Sequence, residues 1–124
     1  MAETVMVVED DALIREMVVQ VLAGEGFTAV AASNGAEALQ YLRRTYVHPA
    51  LILLDLMMPV MDGWQFRAEQ LKDPALAGIP VVVMSATPDD ELPAAARVQK
   101  PFGIETLLDT VWRLASSGSA LHRA

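Results

Sequence analysis

Residues Ala50 to Gly63 read A-L-I-L-L-D-L-M-M-P-V-M-D-G, and this stretch narrows the fold more than any other. Five apolar residues, Ala50 to Leu54, run unbroken into one carboxylate, Asp55. A run that is apolar at every position fits a strand buried on both faces, as in a parallel sheet. Asp55 then marks the C-terminal end of that strand. In open parallel α/β sheets this edge is where ligands bind. Pro59 blocks further regular pairing, and Asp62-Gly63 reads as a turn into a helix. Taken alone, Asp55 is an ordinary strand-end aspartate. The rest of the chain changes that reading.

Similar runs recur. Val5 to Val8 is a second candidate strand, ending in Glu9-Asp10-Asp11. By itself that acidic triplet suits a solvated loop or the positive end of a helix dipole as well as a site. A helix follows, with Leu13, Ile14, Met17, Val18, Val21 and Leu22 as its apolar stripe and Gly24 and Gly26 at its end. Thr28 to Ala32 is a weaker strand. Asn34 and Glu37 resemble a capping box ahead of a helix from about Ala36 to Arg44, with Leu39 and Leu42 facing inward. His48 reads as a surface-loop residue. Beyond Gly63, the stripe Trp64, Ala68 and Leu71 predicts a helix with Trp64 in the core, closed by Asp73-Pro74. Ile79 to Met84 is a fourth apolar run and stops at Ser85. A short strand near Arg97 to Gln99 leads to Lys100. The last helix begins near Gly103, with Ile104, Leu107, Leu108, Val111, Leu114 and Ala115 as its stripe. Residues 1–117 are expected to form one domain and 118–124, including His122, a mobile tail.

Strands alternating with helices predict an α/β fold, a parallel sheet covered on both faces with right-handed crossovers. A chain of 124 residues suffices for one domain with a core. The net charge of −7 argues against a general nucleic-acid or anionic-membrane binder. With no cysteine, disulfide, thiolate-metal and cysteine-nucleophile chemistry fall away. No long apolar segment or signal-like N-terminus is evident, so a cytoplasmic location is the expectation.

If the strands are parallel, their C-terminal ends deliver Glu9, Asp10, Asp55, Ser85 and Lys100 to one place. Carboxylates about 4 Å apart repel by roughly 4 kcal/mol per pair at an effective dielectric of 20. Such a cluster calls for a cation, and all-oxygen ligands favour a hard one such as Mg2+. A metal and an ammonium beside a carboxylate suit phosphoryl transfer, with Asp55 as nucleophile.

Here the chain resembles the receiver domains of two-component response regulators, over about Thr4 to Ala115. The motifs are V-V-E-D-D, L-L-D-L-M-M-P-V-M-D-G, V-V-M-S-A and K-P-F, in that order. The resemblance implies a doubly wound, flavodoxin-like, five-stranded parallel sheet in the order 2-1-3-4-5. It implies Asp55 as phosphoacceptor, Asp10 as direct magnesium ligand, Glu9 as its acidic neighbour and Met57 as a backbone-carbonyl ligand. Ser85 matches the hydroxyl that reaches a phosphoryl oxygen, and Lys100 the lysine that pairs with the phosphoryl group. The Lys100–Pro101 bond is cis in the family, and Asp11 falls to capping the first helix. The implied donor is a phosphohistidine on a sensor histidine kinase or histidine phosphotransfer domain. The expected role is a stand-alone switch, not a turnover enzyme, whose output goes to an unknown downstream protein. The other readings are a receiver-like binding module without phosphorylation and a magnesium-dependent aspartyl-phosphate phosphatase. Met57, in place of a second acid, argues against the latter.

Two departures stand out. Only fourteen residues, Ala86 to Gln99, separate Ser85 from Lys100, and Pro88 and Pro93 restrict helix formation there. The fourth helix is therefore expected to be shortened or missing. That would uncover apolar surface beside Val82 and Met84, for a partner or a homodimer. Arg97 occupies a position that is commonly aromatic in the family. Signalling is accordingly expected to use the loop after Ser85 and the last helix.

Overall fold

The apolar runs become strands and the periodic segments helices in the computed structural model, which describes residues 3–86 and 91–115. In chain order these are β1 (Thr4–Val8), α1 (Ala12–Gly24), β2 (Thr28–Ala32), α2 (Gly35–Arg44), β3 (Leu51–Asp55), α3 (Gly63–Lys72), β4 (Val81–Ser85), β5 (Ala96–Gln99) and α4 (Ile104–Ala115). The strands form one sheet in the order β2-β1-β3-β4-β5. All four pairings are parallel, with Val8 opposite Leu54, Asp55 opposite Met84 and Ser85 opposite Gln99. This register brings the C-terminal ends of β1, β3, β4 and β5 to one edge.

Every residue of β3 and β4 is buried, as expected of strands covered on both faces. One face carries Val5, Val7, Leu53, Val82 and Met84 against Val18 and Leu22 of α1 and Leu107 and Val111 of α4. The other carries Met6, Ile52, Leu54, Val81 and Val83 against Leu39 and Leu42 of α2 and Phe66 of α3. Among the described residues no helix is long and apolar enough to cross a membrane.

Helix starts follow the sequence closely. Asp11 caps α1, accepting from the N–H groups of Leu13 (2.9 Å) and Ile14 (3.1 Å). Asn34 accepts from Glu37 N–H at 2.9 Å, while the Glu37 carboxylate reaches back to Ser33 N–H, one residue beyond a standard capping box. Asp62 and Gln65 form a full box at the start of α3. β4 begins at Val81, two residues later than the apolar run suggests. Pro80 has no N–H, and its carbonyl only accepts from Ile52 (3.0 Å).

Two helix faces differ from expectation. In α1 only Val18 and Leu22 are fully buried, and Leu13 and Met17 are exposed. Ile14 beside them packs on the core, so Leu13 and Met17 mark the solvent side of the helix. In α3 the stripe Trp64, Ala68 and Leu71 faces outward, and Gly63, Phe66, Arg67 and Gln70 face in. Trp64 is therefore a half-exposed rim residue. Arg67 and Gln70 go inside because backbone carbonyls satisfy them there, which an apolarity pattern does not register.

Between β4 and β5 no helix occurs among the described residues; positions 87–90, with Pro88, lie outside them, as does the tail 118–124. Residues 91–95 run back as a non-helical strap. Leu92 and Ala94 pack on the core that contains Val81 and Val83, and Ala95 N–H donates to Val81 O at 2.8 Å. The apolar surface expected beside Val82 and Met84 is not there. Both side chains point to the opposite face and are buried with α1 and α4.

Past β3, Met61 N–H donates to Pro59 O at 2.7 Å, closing a three-residue turn centred on Val60 at φ 68°. A β-branched residue there is strained, and Val60 is 82% exposed, so its packing compensates little. Gly35 N–H donates to Met61 O at 2.9 Å and helps to hold the turn. Replacing Val60 with glycine is expected to raise unfolding free energy by about 1 kcal/mol, strain relief exceeding glycine's entropic cost. Urea denaturation with an unchanged m-value checks this.

Candidate functional site

Glu9 leaves β1 with its N–H donating to Ala32 O at 3.0 Å, so the backbone ladder fixes where its side chain begins. The carboxylate is 1% exposed. Oε2 accepts from Asp11 N–H (3.2 Å), and Oε1 accepts from Lys100 Nζ at 2.5 Å. Arg15, one turn into α1, reaches back with Nη1 to Glu9 O (2.9 Å) and Asp10 O (3.4 Å), which braces the acidic turn. The sequence reading missed Arg15. Its signal was a cation one turn beyond the helix cap, four residues after Asp11.

Asp55, 5% exposed, ends β3. Glu9, Asp10 and Asp55 each offer a carboxylate oxygen, and the three oxygens lie within 4.8 Å of one another. Lys100 Nζ is 3.4 Å from Asp55 Oδ1, so its ammonium bridges the two buried acids. Lys100 is held by backbone as well: its N–H donates to Ser85 O at 2.8 Å. The Lys100–Pro101 bond is cis, as the family resemblance implies. Ser85 is buried at the end of β4, one residue past the partner of Asp55. Met57 stands two residues beyond Asp55 with its side chain 66% exposed, so only its backbone is left for a role in the site. His48 lies in the loop before β3, at the opposite end of that strand from Asp55.

Gly63 lets α3 start close beneath this loop. A methyl group at position 63 would lie 2.6 Å from Asp55 O and 2.7 Å from Leu56 Cα. Its N–H donates to Leu56 O at 2.9 Å, tying the helix start to the residue after Asp55.

The electrostatics follow from the crowding. Burial and then the charge of Glu9 push the Asp55 carboxyl up from 3.8 to about 7, against the opposing pull of Lys100. Burial alone would lower the Lys100 pKa, but its hydrogen bond to Glu9 and the charges of Glu9 and Asp55 outweigh burial and raise it. Lys100 is thus a fixed positive charge that only partly offsets the effect of burial and of Glu9 on Asp55. Three hard oxygen donors, one each from Glu9, Asp10 and Asp55, fit a divalent cation such as Mg2+.

Comparison with known proteins bears on this geometry. The sequence pattern described as the response regulator receiver domain matches residues 5–111. The alkaline phosphatase synthesis transcriptional regulatory protein SphR of Synechococcus elongatus is 35% identical over 121 residues, covering 86% of this chain and 46% of that protein. The DNA-binding response regulator MtrA of Mycobacterium tuberculosis is 35% identical over 118 residues, covering 90% and 50%. The chain thus spans about half the length of these relatives. Among solved structures, the signal receiver domain of a signal transduction histidine kinase from Syntrophus aciditrophicus superposes with a TM-score of 0.87. Its identity is 28%, with 99% of this chain and 97% of that one covered. The chemotaxis protein CheY4 of Vibrio cholerae superposes with a TM-score of 0.83 at 28% identity, covering 92% and 99%. Sheet order, acidic cluster and sequence match agree, and the chain belongs to the response regulator receiver domains of two-component systems.

Proposed function

We propose that this receiver domain accepts a phosphoryl group on Asp55 from a phosphohistidine donor, on a sensor histidine kinase or a histidine phosphotransfer domain. The observation that carries this reading is the meeting of Glu9, Asp10 and Asp55 within 4.8 Å, with Lys100 bridging two of them. An Asp55 carboxylate oxygen forms a bond to phosphorus as the phosphorus–nitrogen bond breaks, and the electron pair leaves with the donor imidazole. Glu9, Asp10, Asp55 and the Met57 carbonyl would hold Mg2+. Bound there, the ion supplies positive charge that keeps Asp55 ionised and neutralises the transferred oxygens. Lys100 pairs with one phosphoryl oxygen, and the Ser85 hydroxyl donates to another. The product carries about −1.5 to −2 charges and three acceptor oxygens. This is the signal, read by a partner protein through the changed surface around residues 91–95 and α4.

Incubation with Mg2+ and acetyl phosphate is expected to add one phosphoryl group, seen by intact-protein mass, and Asp55→Asn is expected to gain none. Lys100→Met should slow the gain by about 100-fold, the scale of losing one charge-stabilising donor. Turnover of many phosphate-ester molecules would support the phosphatase reading, and an unmodified protein the binding module.

The raised Asp55 pKa gives a second expectation. The native state holds a proton that the unfolded chain has lost between pH 3.8 and about 7. Its contribution to stability is full below the unfolded pKa and is lost as pH rises through about 7. In EDTA, the thermal midpoint should fall between pH 5 and pH 8. Asp55→Asn or added Mg2+ should remove much of that fall.

A further inference from the structure

Two arginines converge on one short piece of chain. Arg67 Nε donates to Pro93 O at 2.9 Å, and Arg97 donates to the carbonyl of the preceding residue, Leu92. They reach the strap, residues 91–95, from different elements. Arg67 comes from the buried face of α3, and Arg97 from β5, opposite Val83 in the ladder. Arg67 Nη1 also donates to Gln70 Oε1 at 2.8 Å. Gln70 Nε2 donates in turn to the carbonyls of Leu76 and Ile79, each at 3.0 Å.

The balance of forces on the strap is close. Among the described residues of the strap, Leu92 and Ala94 hold it by apolar contact, and both are partly buried. Among the described residues, Arg67's partners are neutral carbonyls. A buried guanidinium with neutral partners gains hydration when its cover leaves, so burial of this charge opposes docking while the hydrogen bonds favour it. Burial also lowers the Arg67 pKa from its ordinary value. Few apolar contacts and a desolvated charge place a segment at the low-stability end of a fold.

Both anchors ride on elements that carry the phosphoacceptor site. α3 is tied to the loop after Asp55 through Gly63 N–H and Leu56 O. β5 runs directly into Lys100, whose N–H is bonded to Ser85 O. Three new phosphoryl oxygens would draw the Ser85 hydroxyl and the Lys100 ammonium toward Asp55. Arg97, three residues before Lys100, would move with β5, while Arg67 stays with α3. Two guanidinium groups that separate cannot both keep adjacent carbonyls.

We propose that Arg67 and Arg97 form a clasp on residues 91–95 that opens when Asp55 is phosphorylated, so that the strap is the element the signal releases. This rests on the phosphoacceptor reading of Asp55. Both arginines are positioning residues that do not touch the phosphoryl group. Reciprocity follows: a variant that opens the clasp binds a phosphoryl mimic more tightly, by the same factor that the mimic opens the clasp.

The test uses the full chain with Mg2+, with and without beryllofluoride. Amide exchange is followed by NMR at Ala95, bonded to Val81 O, and at Ile52, bonded to Pro80 O, as a core reference. Beryllofluoride is expected to speed exchange at Ala95 about tenfold and leave Ile52 protected, within the usual range of allosteric coupling. In Arg97→Ala, exchange at Ala95 should be fast from the start, and beryllofluoride affinity by fluorine NMR should rise by a similar factor. Arg67→Ala should do the same; if it does not fold, Arg97→Ala, a change to an exposed side chain, decides the matter. Unchanged Ala95 protection with beryllofluoride bound, or unchanged or weaker affinity in Arg97→Ala, would overturn the clasp alone. No bound fluoride and no gain of mass with acetyl phosphate would overturn the phosphoacceptor reading, and the clasp with it.

Discussion

Crowded negative charge at one sheet edge is the constraint around which this molecule is arranged. Two carboxyls, Glu9 and Asp55, are nearly inaccessible to water, and a third, Asp10, stands beside them. Repulsion and desolvation both oppose this arrangement. One ammonium, Lys100, and the N–H of Asp11 compensate in part, and the remaining repulsion and burial raise the Asp55 pKa. A cluster with such a deficit is chemically suited to a hard divalent cation. Receiver domains are signalling switches, and a crowded charge balance makes this edge sensitive to any change of charge.

Much of the remaining structure serves to hold that cluster in place. The parallel register sets the depth of Glu9, Asp55 and Ser85 to within a residue. Arg15 braces the acidic turn from α1, and Gly63 admits α3 up against the end of β3. The strained turn at Val60 lies in the same loop, between Asp55 and the cap of α3. Strain of this kind persists where neighbouring bonds over-determine the backbone, as the Gly35–Met61 and Gly63–Leu56 hydrogen bonds do here.

The short connection between β4 and β5 is met in an unexpected way. Among the described residues no helix lies between β4 and β5, and Leu92 and Ala94 pack on the core that contains Val81 and Val83. Hydrogen bonds from Arg67 and Arg97 reach the same segment. Arg97, which looked out of place against the family pattern, has a role on the strap and not in an apolar slot. Arg67 was invisible to an amphipathicity argument because α3 carries three apolar residues on its outer face and two polar ones on its inner face. Polarity misassigns a helix face when the interior offers carbonyls that can accept from it, here those of Leu76, Ile79 and Pro93.

The amino-acid sequence alone determined the strands, the helix caps and the candidates for the reactive groups. These depend on local pattern: unbroken apolar runs such as Leu51 to Leu54, and capping side chains such as Asp11 and Asp62. It also determined that a full helix does not fit between Ser85 and Lys100, because chain length and proline are local facts. Tertiary structure alone decided which polar groups are buried, since that depends on carbonyls contributed from elsewhere in the chain. It placed Lys100 between Glu9 and Asp55, turned Trp64 and Leu71 outward, and put Arg67 beneath the strap. The reason is the same throughout: burying a charge is a property of its surroundings, and these surroundings come from residues distant in sequence.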